Sequence, residues 1–156
     1  MHQQAYQIVH ANIAVPRAPL DDPIMAGFVT QVDEINALAY SAPGFVAQSE
    51  PPDAGEVFPE GILVNMSVWR SVADLERFTH HGLHALALDR RAGWFEQSSD
   101  AGYVLYWVPA GHAPSEREVK RRIDHLKEYG PTPYAFSFGH RFTIDDMLAY
   151  TGAKDA

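Results

Sequence analysis

The segment ILVNMSVW, residues 62–69, decides the fold because its side chains alternate strictly between two kinds. One face is apolar and consists of Ile62, Val64, Met66 and Val68, and the other consists of Leu63, Asn65, Ser67 and Trp69. A two-residue period is typical of a β-strand, since successive side chains of a strand point to opposite faces of its sheet. The segment therefore predicts a strand with an apolar face and a mixed polar and aromatic face.

Three further segments are predicted strands, and helical segments separate them in a regular order. AYQIVHANIAV (5–15) has the same alternation, FVAQSE (45–50) is a short strand, and GYVLYWVPAG (102–111) ends in Pro and Gly. One helix begins at Asp22 as N-cap, and a second, SVADLERFTHHGLHALALDRRAGWF (71–95), begins at Ser71. The order β-α-β-β-α-β predicts a ferredoxin-like α+β fold with the first strand beside the third, so that Asn12 and Asn65 lie on neighbouring strands.

The length and the tail indicate one domain. A chain of 156 residues is long enough to bury one core. We assign residues 1–111 to the ferredoxin-like α+β domain. Residues 112–156 form a C-terminal extension on the same domain, including a helix in SEREVKRRIDHLKEYG (115–130), where Ser115 and Glu118 resemble a capping box.

Composition excludes several classes of function. The net charge of −8 argues against a nucleic-acid surface, which needs clustered Lys and Arg. The chain has no cysteine, so disulfides, thiolate metal sites and cysteine nucleophiles are excluded. No apolar run is long enough for a membrane span, and the first residues lack the pattern of a signal peptide, so we expect a cytoplasmic protein without a membrane partner.

Both faces of the sheet are largely apolar, and two helices can cover only one of them. An exposed sheet of Val, Ile and Met would form a large adhesive patch. The sequence therefore predicts a homodimer through one face, with the contact made by Val9, Ile13, Val64, Met66 and Val68.

The predicted second helix contains three histidines, His80, His81 and His84, in a window of five residues. On a helical wheel His84 and Arg91 share a stripe that borders the buried face. A hydrogen-bonded histidine at the edge of the core is one interpretation. A metal site is another, since Glu76, His80 and His84 are spaced i, i+4, i+8, but Gly82 interrupts the helix and no further ligand is evident, so we expect no metal.

Five segments of the chain carry a family resemblance: APLDDPIMAGFV, INALAYSAPGFV, LVNMSVWRSVADLERF, WVPAGHAPSEREV and HLKEYGPTPYAFSF. Together they resemble the domain-of-unknown-function family 3291 over nearly the whole chain, to about Phe142. More distantly, the architecture is similar to the dimeric α+β barrel superfamily, which includes antibiotic-biosynthesis monooxygenases and heme-dependent enzymes. The family itself implies a fold but almost no biochemistry.

The distant resemblance implies a set of site residues. In cofactor-independent anthrone oxygenases of that superfamily, an Asn and a Trp four residues apart on one strand flank the substrate, and Asn65 and Trp69 keep this spacing. The same resemblance points to Asn12 on the first strand and to His84 in HHGLH. It implies that Asn12 and Asn65 hold the substrate oxygen, that Trp69 stacks on the ring and that His84 accepts a proton. The expected pocket on the helix-facing side of the sheet is lined further by His10, Ser67, Tyr103, Trp107 and Arg91.

Three functions therefore stay open at the level of sequence. The first is an enzyme that oxygenates an aromatic or polyketide-like small molecule without a cofactor. The second is a heme-binding or heme-dependent protein with His84 as axial ligand. The third is a non-catalytic dimer that binds a small ligand, since a fold does not by itself imply a function.

Overall fold

The protein is an α+β chain with a four-stranded antiparallel sheet, seen in a computed structural model that describes residues 5–16, 18–48, 53, 56–58, 62–79 and 102–152. The strands are β1 (Tyr6–Ala14), β2 (Phe45–Gln48), β3 (Leu63–Trp69) and β4 (Tyr103–Pro109). The helices are α1 (Ala26–Ser41), α2 (Val72–Arg77), α3 (Glu116–Tyr129) and α4 (Ile144–Ala149), and a 3-10 turn, Pro23–Met25, precedes α1. No helix in these described ranges is both long and apolar enough to cross a membrane.

The sheet has the strand order β2-β3-β1-β4, which places the first strand between the third and the fourth. The prediction that β1 lies beside β3 is therefore confirmed. In the β1–β3 register Asn12 lies opposite Asn65, and in the β1–β4 register it lies opposite Tyr103. Directly opposed residues of antiparallel strands share a face, so these three side chains are on the same side of the sheet.

The predicted capping residues accept hydrogen bonds at the start of the 3-10 turn that precedes α1, of α2 and of α3. The Asp22 carboxylate accepts a hydrogen bond from the Ile24 N–H at 3.0 Å, and Ser71 Oγ accepts one from the Asp74 N–H at 3.1 Å. Ser115 Oγ accepts from the Glu118 N–H at 3.1 Å, as expected. These bonds satisfy backbone donors that the first turn of a helix leaves without partners.

We call the side of the sheet that carries Val9, Ala11, Met66, Val68, Val104, Tyr106 and Val108 the aliphatic face. The chain's own C-terminal part covers this face: Val119 and Ile123 of α3 pack against it, together with Ala135. Val9, Met66 and Val68 are at most 2% exposed. The prediction that this face is uncovered and forms the dimer contact is wrong, because α3 supplies its apolar partner in place of a second copy.

The opposite side, which we call the aromatic face, has a core of Ile8, Trp69, Leu75, Leu105 and Phe136. Leu75 reaches it from α2, and Phe136 reaches it from the segment after α3. Phe136 pairs with Leu105 through two backbone hydrogen bonds of 2.9 Å, so an isolated bridge joins this segment to the outer edge of β4. Further apolar side chains pack around this core, namely Ala42, Phe45, Val72, Phe78, Tyr103, Trp107, Phe138 and Phe142.

Candidate functional site on the aromatic face

The centre of the candidate site is the pair Asn12 and Asn65, which lie directly opposite each other on β1 and β3. Side chains in such a pair have Cβ atoms about 4.5–5.5 Å apart. Asn12 Oδ1 is buried and accepts no hydrogen bond from any residue that the structure describes. A buried acceptor without a donor is costly, so this oxygen is a place where a bound group would be stabilised.

Asn65 is exposed, and its side chain belongs to a short chain of hydrogen bonds. The Gln48 amide Nε2 donates to Asn65 Oδ1 at 3.0 Å, and the Tyr40 hydroxyl donates to Gln48 Oε1 at 3.1 Å. We call this the Tyr40–Gln48–Asn65 chain. Because Gln48 occupies the oxygen of Asn65, the amide nitrogen of Asn65 is left to donate elsewhere.

Gln48 reaches Asn65 because β2 contains an irregularity. Phe45 pairs with Trp69 and Gln48 pairs with Ser67, and the register shifts between Phe45 and Ala47. Residues three apart on a regular strand point to opposite faces, whereas the additional residue places both Phe45 and Gln48 on the aromatic face. Sequence periodicity did not indicate Gln48 or Tyr40, since the shift has no distinct signal in FVAQ.

Three rings lie next to the asparagine pair. His10 and Tyr103 have centroids 5.8 Å apart, and Phe138 lies 5.7 Å from Tyr103 and 6.2 Å from His10. The Phe138 N–H donates to the Tyr103 hydroxyl at 3.2 Å. His10 and Tyr103 were predicted to line the pocket, whereas Phe138 was not, because it enters from the C-terminal segment.

Trp69 is enclosed in the core of the aromatic face. It is 1% exposed, and its ring packs edge-on against Phe45 at 5.3 Å and lies 5.1 Å from Phe78. Its indole N–H donates to Ser67 Oγ at 2.9 Å. Trp69 and Ser67 are on the predicted face, but they are buried by neighbouring side chains.

Trp107 lies on the aromatic face and is held by the C-terminal segment. Its indole N–H donates to the Phe142 carbonyl oxygen at 2.9 Å. Nearby, Arg141 forms an ion pair with Glu76 of α2, and its Nε donates to the Phe138 carbonyl at 2.9 Å. The segment after α3 is thereby tied to α2 across this side of the sheet.

Two of the predicted site residues, His84 and Arg91, lie outside the described residues. The proton-accepting role and the heme alternative with His84 as axial ligand therefore stay predictions. His80, the second residue of the metal alternative, also lies outside. Within the described ranges there is no group of three His, Asp or Glu side chains that could hold a metal ion.

Two groups that contact α3, Tyr106 and Asp53, have displaced pKa values. Burial raises the pKa of the Tyr106 hydroxyl well above 10, and the Glu118 carboxylate raises it further by its charge and its hydrogen bond. For Asp53, partial burial raises the pKa, but the N–H groups of Glu116 and Arg117 outweigh this effect and lower it below 3.8 overall. These groups hold α3 in place, since Asp53 accepts from both N–H groups at 2.9 and 3.1 Å.

The fold and this site define an α+β protein with a polar amide pair set into an aromatic sheet face. Comparison with known proteins shows that the chain belongs to a family described as Domain of unknown function (DUF3291), whose model matches residues 7–151. The resemblance to that family in the sequence is thus confirmed. A crystal structure of a protein of unknown function from Nitrosomonas europaea is similar at 11% identity and a TM-score of 0.46, and the match covers 72% of this chain and 96% of that one. No curated protein matches the chain.

Proposed function

We propose that the protein is a small-molecule enzyme of the antibiotic-biosynthesis monooxygenase type, which oxygenates a flat aromatic or polyketide-like substrate without a cofactor. The observation that carries the proposal is the Asn12–Asn65 pair, in which two amide side chains lie on one sheet face and Asn12 Oδ1 has no donor among the described residues. Converging polar groups beside aromatic side chains are typical of sites that bind small molecules.

The chemistry requires stabilisation of a negative charge on the substrate oxygen. Loss of a proton from a ring carbon that is conjugated with a ring carbonyl gives an enolate or phenolate, whose charge lies largely on oxygen. The amide nitrogen of Asn65 can donate to that oxygen, and a preorganised donor of this kind stabilises the transition state more than the ground state. The electron-rich carbon then forms a C–O bond with dioxygen, and the resulting peroxide loses water to give a ketone.

The remaining roles are distributed over the aromatic face. His10 and Tyr103 lie next to Asn12 and are half-buried, so they are suited to contact the substrate ring. Trp69 is enclosed by Phe45 and Phe78, which favours a structural role over the stacking role that the resemblance implies. The proton acceptor in this proposal is His84.

Oxygen uptake tests the proposal directly. Purified protein is mixed with anthrone, which lacks other reactive groups, and dioxygen consumption is measured beside formation of anthraquinone, with the uncatalysed oxidation subtracted. We expect one dioxygen consumed for each anthraquinone formed, and Asn65→Ala should lower the rate about 10²-fold, the usual effect of removing one donor to an oxyanion.

The matched control is Gln7→Ala, which removes an amide from the opposite face of β1 and should leave the rate unchanged. A rate no greater than the uncatalysed oxidation, for anthrone and for its hydroxylated derivatives, would contradict the proposal. So would an Asn12→Ala, Asn65→Ala double variant that is as active as the wild type.

The proposal extends to a ferredoxin-like fold that forms a dimer and resides in the cytoplasm. Because α3 covers the aliphatic face, the dimer contact is assigned to the edge formed by β2 and α1. Leu38, Tyr40 and Val46 are exposed there, at 37%, 59% and 38%. Sedimentation at micromolar concentration tests this, and a monomer for the wild type would contradict it.

A further inference from the structure

The Tyr40–Gln48–Asn65 chain fixes the orientation of the Asn65 amide group. Each amide has one accepting oxygen and one donating nitrogen, and the arrangement is decided by the partners. The Gln48 Nε2–H bonds to Asn65 Oδ1, and the Tyr40 hydroxyl holds Gln48 by its oxygen. Asn65 is therefore turned with its oxygen toward β2 and is left with its N–H group as the donor for a ligand.

Asn12 contributes the opposite kind of group. By position the Asn65 amide is opposite Asn12, yet Asn12 Oδ1 receives no hydrogen bond from it or from any other described residue. The side-chain bond from Gln48 accounts for this, since it draws the Asn65 amide toward β2. The two strands thus present a donor, the Asn65 N–H, next to a buried acceptor, Asn12 Oδ1.

We propose that Gln48 and Tyr40 are positioning residues that orient Asn65, and that the site selects flat rings whose edge carries a hydrogen-bond donor next to a carbonyl oxygen. The carbonyl accepts from Asn65, and the neighbouring O–H or N–H donates to Asn12. This inference rests on the site of the proposed function, but it concerns binding and holds whether or not oxygen is consumed.

Two probes of nearly the same shape test the ligand class. 2-Quinolone has a ring N–H beside its carbonyl, and coumarin has a ring oxygen at the same place, so coumarin keeps the acceptor and lacks the donor. Binding is measured by calorimetry with the full chain. We expect 2-quinolone to bind about tenfold more tightly than coumarin, because only its N–H satisfies the buried oxygen of Asn12. In Asn12→Ala the two affinities should agree within about twofold.

The positioning role is tested with Gln48→Glu and Tyr40→Phe. A carboxylate at position 48 cannot donate to Asn65 Oδ1 and instead accepts from the Asn65 N–H, so the carbonyl of both probes loses its donor. We expect both affinities to fall about tenfold while the ratio between the probes is kept. Tyr40→Phe keeps the ring contact with Phe45 and removes one exposed hydrogen bond, so a fall of about twofold is expected.

A control and a melting curve separate positioning from general damage. Tyr129→Phe removes a hydroxyl from a half-exposed tyrosine on α3 and should change neither affinity. A positioning role predicts unchanged melting temperatures in Gln48→Glu together with the loss of affinity.

Equal affinities of the wild type for the two probes, or no saturable binding of either at millimolar concentration, would overturn the ligand class. Wild-type affinity in Gln48→Glu would overturn the positioning role. Specific binding of 2-quinolone, together with no catalysed oxygen uptake from anthrone or its hydroxylated derivatives, would reject the oxygenase and leave this inference standing.

Discussion

Removal of the Tyr106 hydroxyl tests how α3 is held on the aliphatic face. Tyr106 is completely buried, and its hydroxyl donates to Glu118 Oε2 of α3 at 2.8 Å. The other oxygen of Glu118 lies 2.7 Å from His112 Nε2. Tyr106→Phe keeps the ring and its contact with the Arg122 guanidinium, 4.5 Å from the ring centroid, so the substitution removes the hydrogen bond alone.

The expected loss of stability follows from these contacts. A hydrogen bond to an ionised group contributes about 1.5–3 kcal/mol. Glu118 keeps His112 as a partner and its side chain is 14% exposed, so water replaces part of the lost bond. We therefore expect the free energy of unfolding to fall by about 1.5 kcal/mol, the lower end of that range, measured by urea denaturation at pH 7.

The pH dependence gives the same prediction a second measurement. Burial and then the Glu118 carboxylate raise the pKa of Tyr106 well above 10, while the hydroxyl of the unfolded chain ionises near 10. The native state holds its proton more tightly, so this contribution is complete below about pH 10 and is lost as the pH rises further. Above pH 10 the wild type should lose stability more steeply than Tyr106→Phe.

Tyr129→Phe is the matched control. Tyr129 is 51% exposed, so removal of its hydroxyl should change the free energy of unfolding by less than about 0.5 kcal/mol. If Tyr106→Phe were as stable as this control, or if wild type and variant had the same slope above pH 10, the hydrogen bond would not hold α3 as we infer.

Three further substitutions test other parts of the fold. Ile123→Ala, at a residue of α3 that is 3% exposed on the aliphatic face, should cost about 2–4 kcal/mol in urea denaturation, and a cost below 1 kcal/mol would mean that α3 does not cover this face. Asp53→Ala should cost about 1 kcal/mol at pH 7, since it removes the acceptor for the Glu116 and Arg117 N–H groups. Because the pKa of Asp53 is lowered on folding, this stabilisation is present above pH 4 and is lost as the pH falls. The difference in free energy of unfolding between variant and wild type should therefore shrink at pH 3, and a constant difference would contradict this role. Trp69→Ala should lower the free energy of unfolding by about 3–5 kcal/mol, because the ring lies inside the core of the aromatic face, and a variant that lost ligand affinity at unchanged stability would restore the stacking role.

Local patterns predicted the elements of the fold because each is encoded within a few residues. Alternating side chains indicated β1 and β3, and Ser71 and Ser115 marked the starts of α2 and α3. The Glu118 side chain was expected to complete a capping box, yet it bonds to Tyr106 and His112 instead. A local motif cannot reveal that a buried hydroxyl from another strand competes for the same carboxylate.

For the candidate site, alternation alone placed Asn12, Asn65 and Trp69 on the mixed polar and aromatic faces of their strands. Whether the asparagines meet depends on strand register, which is set by pairing between residues more than fifty positions apart. The burial of Trp69 was also hidden, since it results from Phe45 across a β-bulge and from Phe78 after α2.

The sequence by itself determined which residues could form strands and helices and which side chains alternate together, because these are properties of local periodicity. It also carried the segments that resemble the family whose model matches residues 7–151. Only the tertiary structure decided that α3 covers the aliphatic face and that Asn12 lies opposite Asn65. It also decided that Gln48, carried to the aromatic face by an irregular strand, bonds to Asn65. The physical reason is that packing and register depend on contacts between distant segments, and a short sequence pattern specifies the faces of an element but not the element that will meet them.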